Sequence, residues 1–205
     1  LRVQGCSAGG GAFFGRGRSV LTVHSGGYPE SKEGRAARTG SVRGAIFRRF
    51  ERIITVNPSI GEVFARYGIA REKIRVIYPF THRNPDKSVE IPQKLKEFAG
   101  RSEPFLLAVC LLEDTYDLPL QIEAMKGVTE KFPRAGLMIV GSGSLEADLK
   151  SLIAGKPYAE RIFMAGDVEH AVTLHLINRA DILLRTTRFD GDAIAVREAL
   201  FLDTS

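Results

Sequence analysis

The chain lacks most of what several function classes require. Its two cysteines, Cys6 and Cys110, fit neither a metal-ligand spacing nor a disulfide framework. A reducing cytoplasm is therefore the expected compartment. Among the histidines, His82, His170 and His175 share no ligand spacing, and a five-residue step puts His170 and His175 on different helical faces. No metal site is expected. No apolar run approaches the ~20 residues of a membrane helix. The first apolar clusters are short and broken by glycine, unlike a signal peptide. The Gly-rich opening GCSAGGGAFFGRGRS (5–19) holds no phosphate-loop pattern, and no solenoid repeat is visible. The first residue is Leu1 rather than Met, so a start inside a longer protein is expected.

What is present is ordinary in amount and uneven in arrangement. The 205 residues are 44% hydrophobic and 26% charged, enough for one large domain or two small ones. Residues 1–100 carry a net charge of +10 and residues 101–205 a net charge of −5. A basic half suits anionic partners such as lipid headgroups, phosphates or nucleic acid; a solvated basic surface reads the same way.

The second half alternates buried-strand and helix patterns. Strands are expected at 104–112, 136–141, 161–166 and 181–185. Helices are expected at 118–132, 144–153, 171–180 and 192–202, with Asp117, Ser144 and Asp192 as N-caps. Such alternation predicts an α/β fold with a parallel, doubly wound sheet. The first half looks similar but sparser, with strands at 19–25, 52–57 and 73–80 and a helix at 60–68 closed by Gly68. The polar stretch 88–103 reads as a linker with one short helix. The run VRGAIFRRFERII (42–54) sets Ile46, Phe47, Phe50 and Ile54 among four arginines. That is either a basic amphipathic helix for an anionic membrane or a helix packed on a sheet.

RFDGDAIAVREAL (188–200) places Asp190 and Glu198 eight positions apart. Counted along a helix that is roughly 12 Å, beyond the ~5–9.5 Å of paired glycosidase carboxylates. The two acids therefore suit the ends of an extended ligand. Gly191 and Ala195, on the helical face of Glu198, would let that ligand approach, and the helix N-terminus favours a phosphate. An acidic cap with a salt-bridged glutamate is the plain alternative. VGSGSLE (140–146) links a strand to a helix where α/β folds bind ligands, but Glu146 stands at the third glycine of G-x-G-x-x-G. A tight turn explains it equally. His24 ends a strand beside Gly26 and Gly27, facing either a cleft or the surface.

From His24 onward, six segments agree in order and spacing with one family. They are TVHSGG, RIITVNPSIGEVFARYGIAREKIRVIYPF, PRAGLMIVGSGSLEADL, RIFMAGDV, ADILLRTT and DGDAIAVREAL. The chain resembles glycosyltransferase family 4, retaining enzymes of the GT-B fold. The resemblance implies two Rossmann-like domains: residues 1–87 on the acceptor side without its first strands, and 104–205 on the donor side without its last elements. It implies transfer of a sugar from a nucleotide-diphosphate sugar to a glycan or glycolipid, with retention, without a cofactor and usually without a metal. The family's E-x7-E acids fall on Asp190, at the transferred sugar, and Glu198, at the ribose. His24 matches the histidine on the acceptor side. The implied donor-binding set is Gly141, Ser142, Gly143, Arg188, Gly191, Asp192, Ala193 and Glu198. The family's diphosphate-holding Arg and Lys fall on Leu111 and Tyr116, with Cys110 before them, so both cations are missing. Arg185, Arg188 and Arg197 lie near Asp190 in sequence as replacements.

Two other functions stay open: a non-catalytic relative that binds nucleotide, sugar or a protein, and a basic polyanion binder. The latter lacks interleaved aromatics on a clear strand face, and nucleic acid is not an expected partner. Peripheral contact with the inner face of a membrane fits the basic half. Arg188→Ala should weaken donor binding, measured by calorimetry; an unchanged affinity removes Arg188 as the replacement cation.

Overall fold

The computed structural model describes residues 19–79 and 83–204. Cys6, His82 and almost all of the Gly-rich opening lie outside the described residues. The chain divides into two compact units, one of residues 1–79 with 189–193, the other of residues 80–188 with 194–205.

In the first unit, β1 (Val20–Val23), β2 (Arg52–Thr55) and β3 (Ile74–Val76) form a parallel sheet in that order. Helices α1 (Lys32–Arg35), α2 (Val42–Phe47) and α3 (Pro58–Arg66) connect them. Asn57 caps α3 by accepting from the Ile60 amide, and Pro58 occupies the first turn, where no donor is lost. Gly68, at φ +80°, ends this segment as expected. Phe47, Phe64 and Tyr67 pack edge-on, with ring centroids 5.0 and 5.2 Å apart for the pairs made by Phe47. Tyr28 stacks on Phe64 at 5.8 Å. Burial, then the neighbouring Tyr67, pushes the Tyr28 hydroxyl pKa upward.

The run 42–54 is not one helix. α2 stops at Phe47, a turn follows, and β2 begins at Arg52. Strand alternation turns Ile53 inward at 0% exposure, while Phe47 and Phe50 are buried and Ile46 is not. No extended amphipathic face results.

In the second unit, α4 (Gln93–Arg101) precedes a parallel sheet of β4 (Phe105–Val109), β5 (Gly136–Val140), β6 (Ile162–Gly166) and β7 (Ile182–Leu183). α5 (Leu118–Lys131), α6 (Glu146–Ala154) and α7 (His170–Arg179) cross between strands, and α8 (Ile194–Phe201) follows β7. The strand order is β6-β5-β4-β7, half of a doubly wound sheet. Leu106, Ala108, Leu137 and Ile139 pack toward α5 and α6. Phe105, Leu107, Met138 and Val140 pack toward α4, α7 and α8. The near-continuous apolar strands are thus explained by helices on both faces.

Four expectations need correction. The stretch 88–103 is not merely a linker: Leu95, Phe98 and Ala99 of α4 are buried in the second unit's core. Asp117 takes the expected N-cap position of α5 but sits in the left-handed region, at φ 47°, and its side chain makes no cap bond. Ser144 lies ahead of α6, whose cap position is Leu145. α8 begins at Ile194, two residues after the expected cap Asp192.

Phe64→Ala should destabilise the first unit by about 3–5 kcal/mol, because it empties the centre of the aromatic cluster. Urea unfolding followed through the near-ultraviolet tyrosine signal measures this.

Candidate functional site

In the second unit, β5 and β6 lie on one side of β4, and the crossover through α7 places β7 on the other. The loops leaving β4 and β7 therefore diverge at the carboxyl end of the sheet. That divergence is the topological switch point where such sheets bind ligands. The Arg185 side chain donates to the Val109 carbonyl at 3.1 Å. Its guanidinium lies over the Tyr116 ring, 4.9 Å from the centroid, a cation–π arrangement. A cation thus stands over one of the two positions that lack one in sequence. Leu111, the other, is 57% exposed.

The same end of the sheet is built by backbone against backbone. The Cys110 amide donates to the Val140 carbonyl, the Leu112 amide to the Ser142 carbonyl, and the Leu145 amide to the Leu112 carbonyl. Gly141 adopts φ +135°, and a Cβ there would run into the Cys110 carbonyl oxygen. A Cβ on Gly143 would stand 2.5 Å from the Leu112 carbonyl oxygen. Both glycines are therefore demanded by the approach of two loops, whatever ligand binds beside them. Ser142 donates its hydroxyl to Asp167 at 2.8 Å. Ser144 donates its amide and hydroxyl to the two Glu113 oxygens, at 3.0 and 2.7 Å, and these bonds hold the Glu113 carboxyl below its ordinary range. Burial pushes the Cys110 thiol up to about 11, partly offset by the Arg185 charge.

Gln121 of α5 and Thr186, just after β7, are hydrogen-bonded neighbours. The Gln121 amide donates to the Thr186 hydroxyl at 2.9 Å, and that hydroxyl donates to the Tyr116 carbonyl at 2.7 Å. Among the described residues, Gln121 Oε1 is buried with no hydrogen-bond partner. Arg188 is anchored through its amide, which donates to the Thr115 carbonyl, while its side chain stands 3.9 Å from the Asp117 carboxylate.

Glu198 lies in the first turns of α8 and is 3% exposed. His170 Nε2 of α7 stands 2.6 Å from its Oε1. Because α8 starts at Ile194, Ala195 shares the helical face of Glu198 but Gly191 does not. The 12 Å helical estimate for the Asp190–Glu198 separation also fails, since Asp190 precedes the helix and belongs to the first unit. Sequence reasoning missed the His170–Glu198 and Glu113–Ser144 pairs. Their partners are 28 and 31 residues apart, far beyond any local periodicity.

The first unit holds His24, Asp190, Gly191, Asp192 and Ala193. His24 follows β1 directly and is exposed. A Cβ on Gly26 would collide with the Asp190 backbone, and one on Gly191 with the His24 carbonyl oxygen. Asn57 donates its side-chain amide to the Gly191 carbonyl. Among the described residues, no cluster of three His, Cys, Asp or Glu side chains is placed to hold a metal ion, and no helix is long and apolar enough to cross a membrane.

The family model for glycosyl transferases group 1 matches residues 91–204, more than half of the chain. The chain belongs to that family. The model for glycosyltransferase family 4 matches residues 4–83 of this group 1 glycosyl transferase. Solved structures share its GT-B fold. One is the pneumococcal O-GlcNAc transferase GtfA in complex with UDP and GlcNAc (17% identity, TM-score 0.70, 90% of this chain and 36% of that one). A second is Anabaena HepE in complex with UDP-glucose (16% identity, TM-score 0.69, 91% of this chain and 52% of that one). A third is an S. aureus TarM variant in complex with Fondaparinux, alpha-GlcNAc-glycerol and UDP (14% identity, TM-score 0.66, 90% and 35%). The chain thus spans about a third to a half of these structures. No curated protein matches it in sequence.

With its thiol pKa near 11, Cys110 of this glycosyl transferase should alkylate slowly at neutral pH and faster as the pH climbs toward that value. Arg185→Ala should slow it further, by removing the cation that favours the thiolate. Iodoacetamide labelling followed by peptide mass spectrometry reads both effects.

Proposed function

We propose that the chain forms part of a glycosyltransferase that moves a sugar from a nucleotide-diphosphate sugar to a glycan or glycolipid acceptor, with retention of configuration. The observation carrying this reading is the group 1 family match over the unit in which Arg185 bonds to the end of β4 and lies over the Tyr116 ring. The solved relatives' complexes with UDP and UDP-glucose support a uridine diphosphate donor.

In this reading Arg185 gives the diphosphate charge-assisted hydrogen bonds, in place of the cations absent at Leu111 and Tyr116. Arg188 adds a second positive charge. The N-terminus of α8, with Asp192 and Ala193 before it, faces the phosphates with its backbone dipole. Fixed donors of this kind stabilise charge that builds on the leaving diphosphate as the sugar bond breaks. Glu198 grips the ribose hydroxyls, and Asp190 the transferred sugar. His24 serves the acceptor side. No metal is assigned a role, and a cytoplasmic site of action, at the inner membrane face for a lipid-linked acceptor, suits the basic first half.

A second reading has its own support. With Leu111 and Tyr116 where two cations are expected, the chain would bind nucleotide without turning it over. UDP binding by the chain tests the donor site common to both readings. Glu198→Gln should weaken it roughly 10- to 100-fold, the worth of a hydrogen bond to a charged group, with the far-ultraviolet spectrum retained. No UDP binding by the unaltered chain sinks both readings. Sugar transfer from UDP-glucose separates them.

A further inference from the structure

The first unit carries an open cavity of about 750 Å³ beside α1 and α2. Its lining includes Lys32, Arg35, Arg38 and Arg43, against one carboxylate, Glu33. Arg43 stands 3.4 Å from Glu33, and Arg35 donates to the Glu30 carbonyl at 2.7 Å. Lys32 and Arg38 have no ion pair or side-chain hydrogen bond among the described residues. Three net positive charges therefore share one concavity of small-ligand size. Their mutual repulsion is relieved by a bound anion, and a doubly charged one relieves it most.

The surroundings narrow the ligand further. A second cavity, of about 420 Å³, is lined by Ser25, Gly27, Tyr28 and Phe47 and shares Glu33 and Arg43 with the first. It reaches the carboxyl end of β1, one residue from His24. An aromatic wall joined to a cationic cavity matches a ligand with an uncharged body and a phosphate group. Ser31 and Ser41 fix the segments that carry the cations. Each accepts from a glycine amide three residues on, Gly34 at 3.0 Å and Gly44 at 3.1 Å.

We propose that the cavity lined by Lys32, Arg35, Arg38 and Arg43 binds the phosphate or diphosphate of a phosphorylated acceptor. The acceptor part rests on the transferase reading above; the anion site does not. The phosphate could belong to a lipid headgroup or to a soluble phosphate ester.

The test uses the full chain with inorganic pyrophosphate in calorimetry and with phosphatidylglycerol vesicles in sedimentation. Lys32→Ala and Arg38→Ala should each weaken pyrophosphate binding about tenfold, and Arg38→Glu more. Arg75→Ala, on an exposed residue of β3 outside the cavity, should change nothing. Vesicle binding lost in the same variants and competed by pyrophosphate identifies a lipid headgroup; pyrophosphate binding without vesicle binding identifies a soluble ester. Unchanged affinity in the cavity variants, or an equal loss in Arg75→Ala, overturns the site. UDP binding should persist in Arg38→Ala. Its absence from the unaltered chain marks failure of the transferase reading, and of the acceptor assignment with it, independently of the anion result.

Discussion

The second unit depends on one constraint: two loops at the carboxyl end of its sheet run backbone to backbone. Residues 110–112 extend β4 past its last regular pair, and 141–143 extend β5 alongside them. The contact leaves no room for a Cβ at Gly141 or Gly143. With that ladder in place, the loop after β4 turns back through Tyr116. Arg185 can then lie over that ring while bonding to the end of β4. The strand extension leads the chain to the Tyr116 ring, and the β4–β7 pairing brings the cation to it.

Much of this was legible in the sequence. Buried strands announce themselves as apolar runs when helices cover both faces, which is why 104–112 and 136–141 read plainly. Gly68 marked the end of α3 because capping chemistry is local, whereas its cap Asn57 reads in sequence as part of the preceding strand. The failures have equally physical causes. Asp117 and Ser144 have the composition of N-caps, but each side chain was drawn elsewhere, Asp117 toward Arg188 and Ser144 toward Glu113. The 42–54 run misleads because a helix, a turn and a strand in succession can imitate a single amphipathic period. The helix 93–101 reads in sequence as a short element of a linker rather than as part of the core, because only Leu95, Phe98 and Ala99 turn inward.

The glycine turn of the candidate site was legible in the sequence, its cations less so. The resemblance pointed to Leu111 and Tyr116 as the places where positive charge is missing. No spacing rule picks Arg185 from among the nearby arginines, because its placement comes from the β4–β7 pairing. His170 beside Glu198 is a long-range pairing of the same kind. It closes a buried carboxylate onto a neighbouring helix, and burying a charge unpaired would be costly.

The segment Phe189–Ala193 belongs to the first unit although both its flanks belong to the second. The polypeptide passes between units three times, so neither is a single stretch of chain. Asn57 and the paired glycines Gly26 and Gly191 receive this returning segment as they would a native loop. Cutting the chain once, anywhere between the two halves, would take part of the first unit away with the second. The two acids that looked like one motif thus belong to different units, Asp190 to the first and Glu198 to the second.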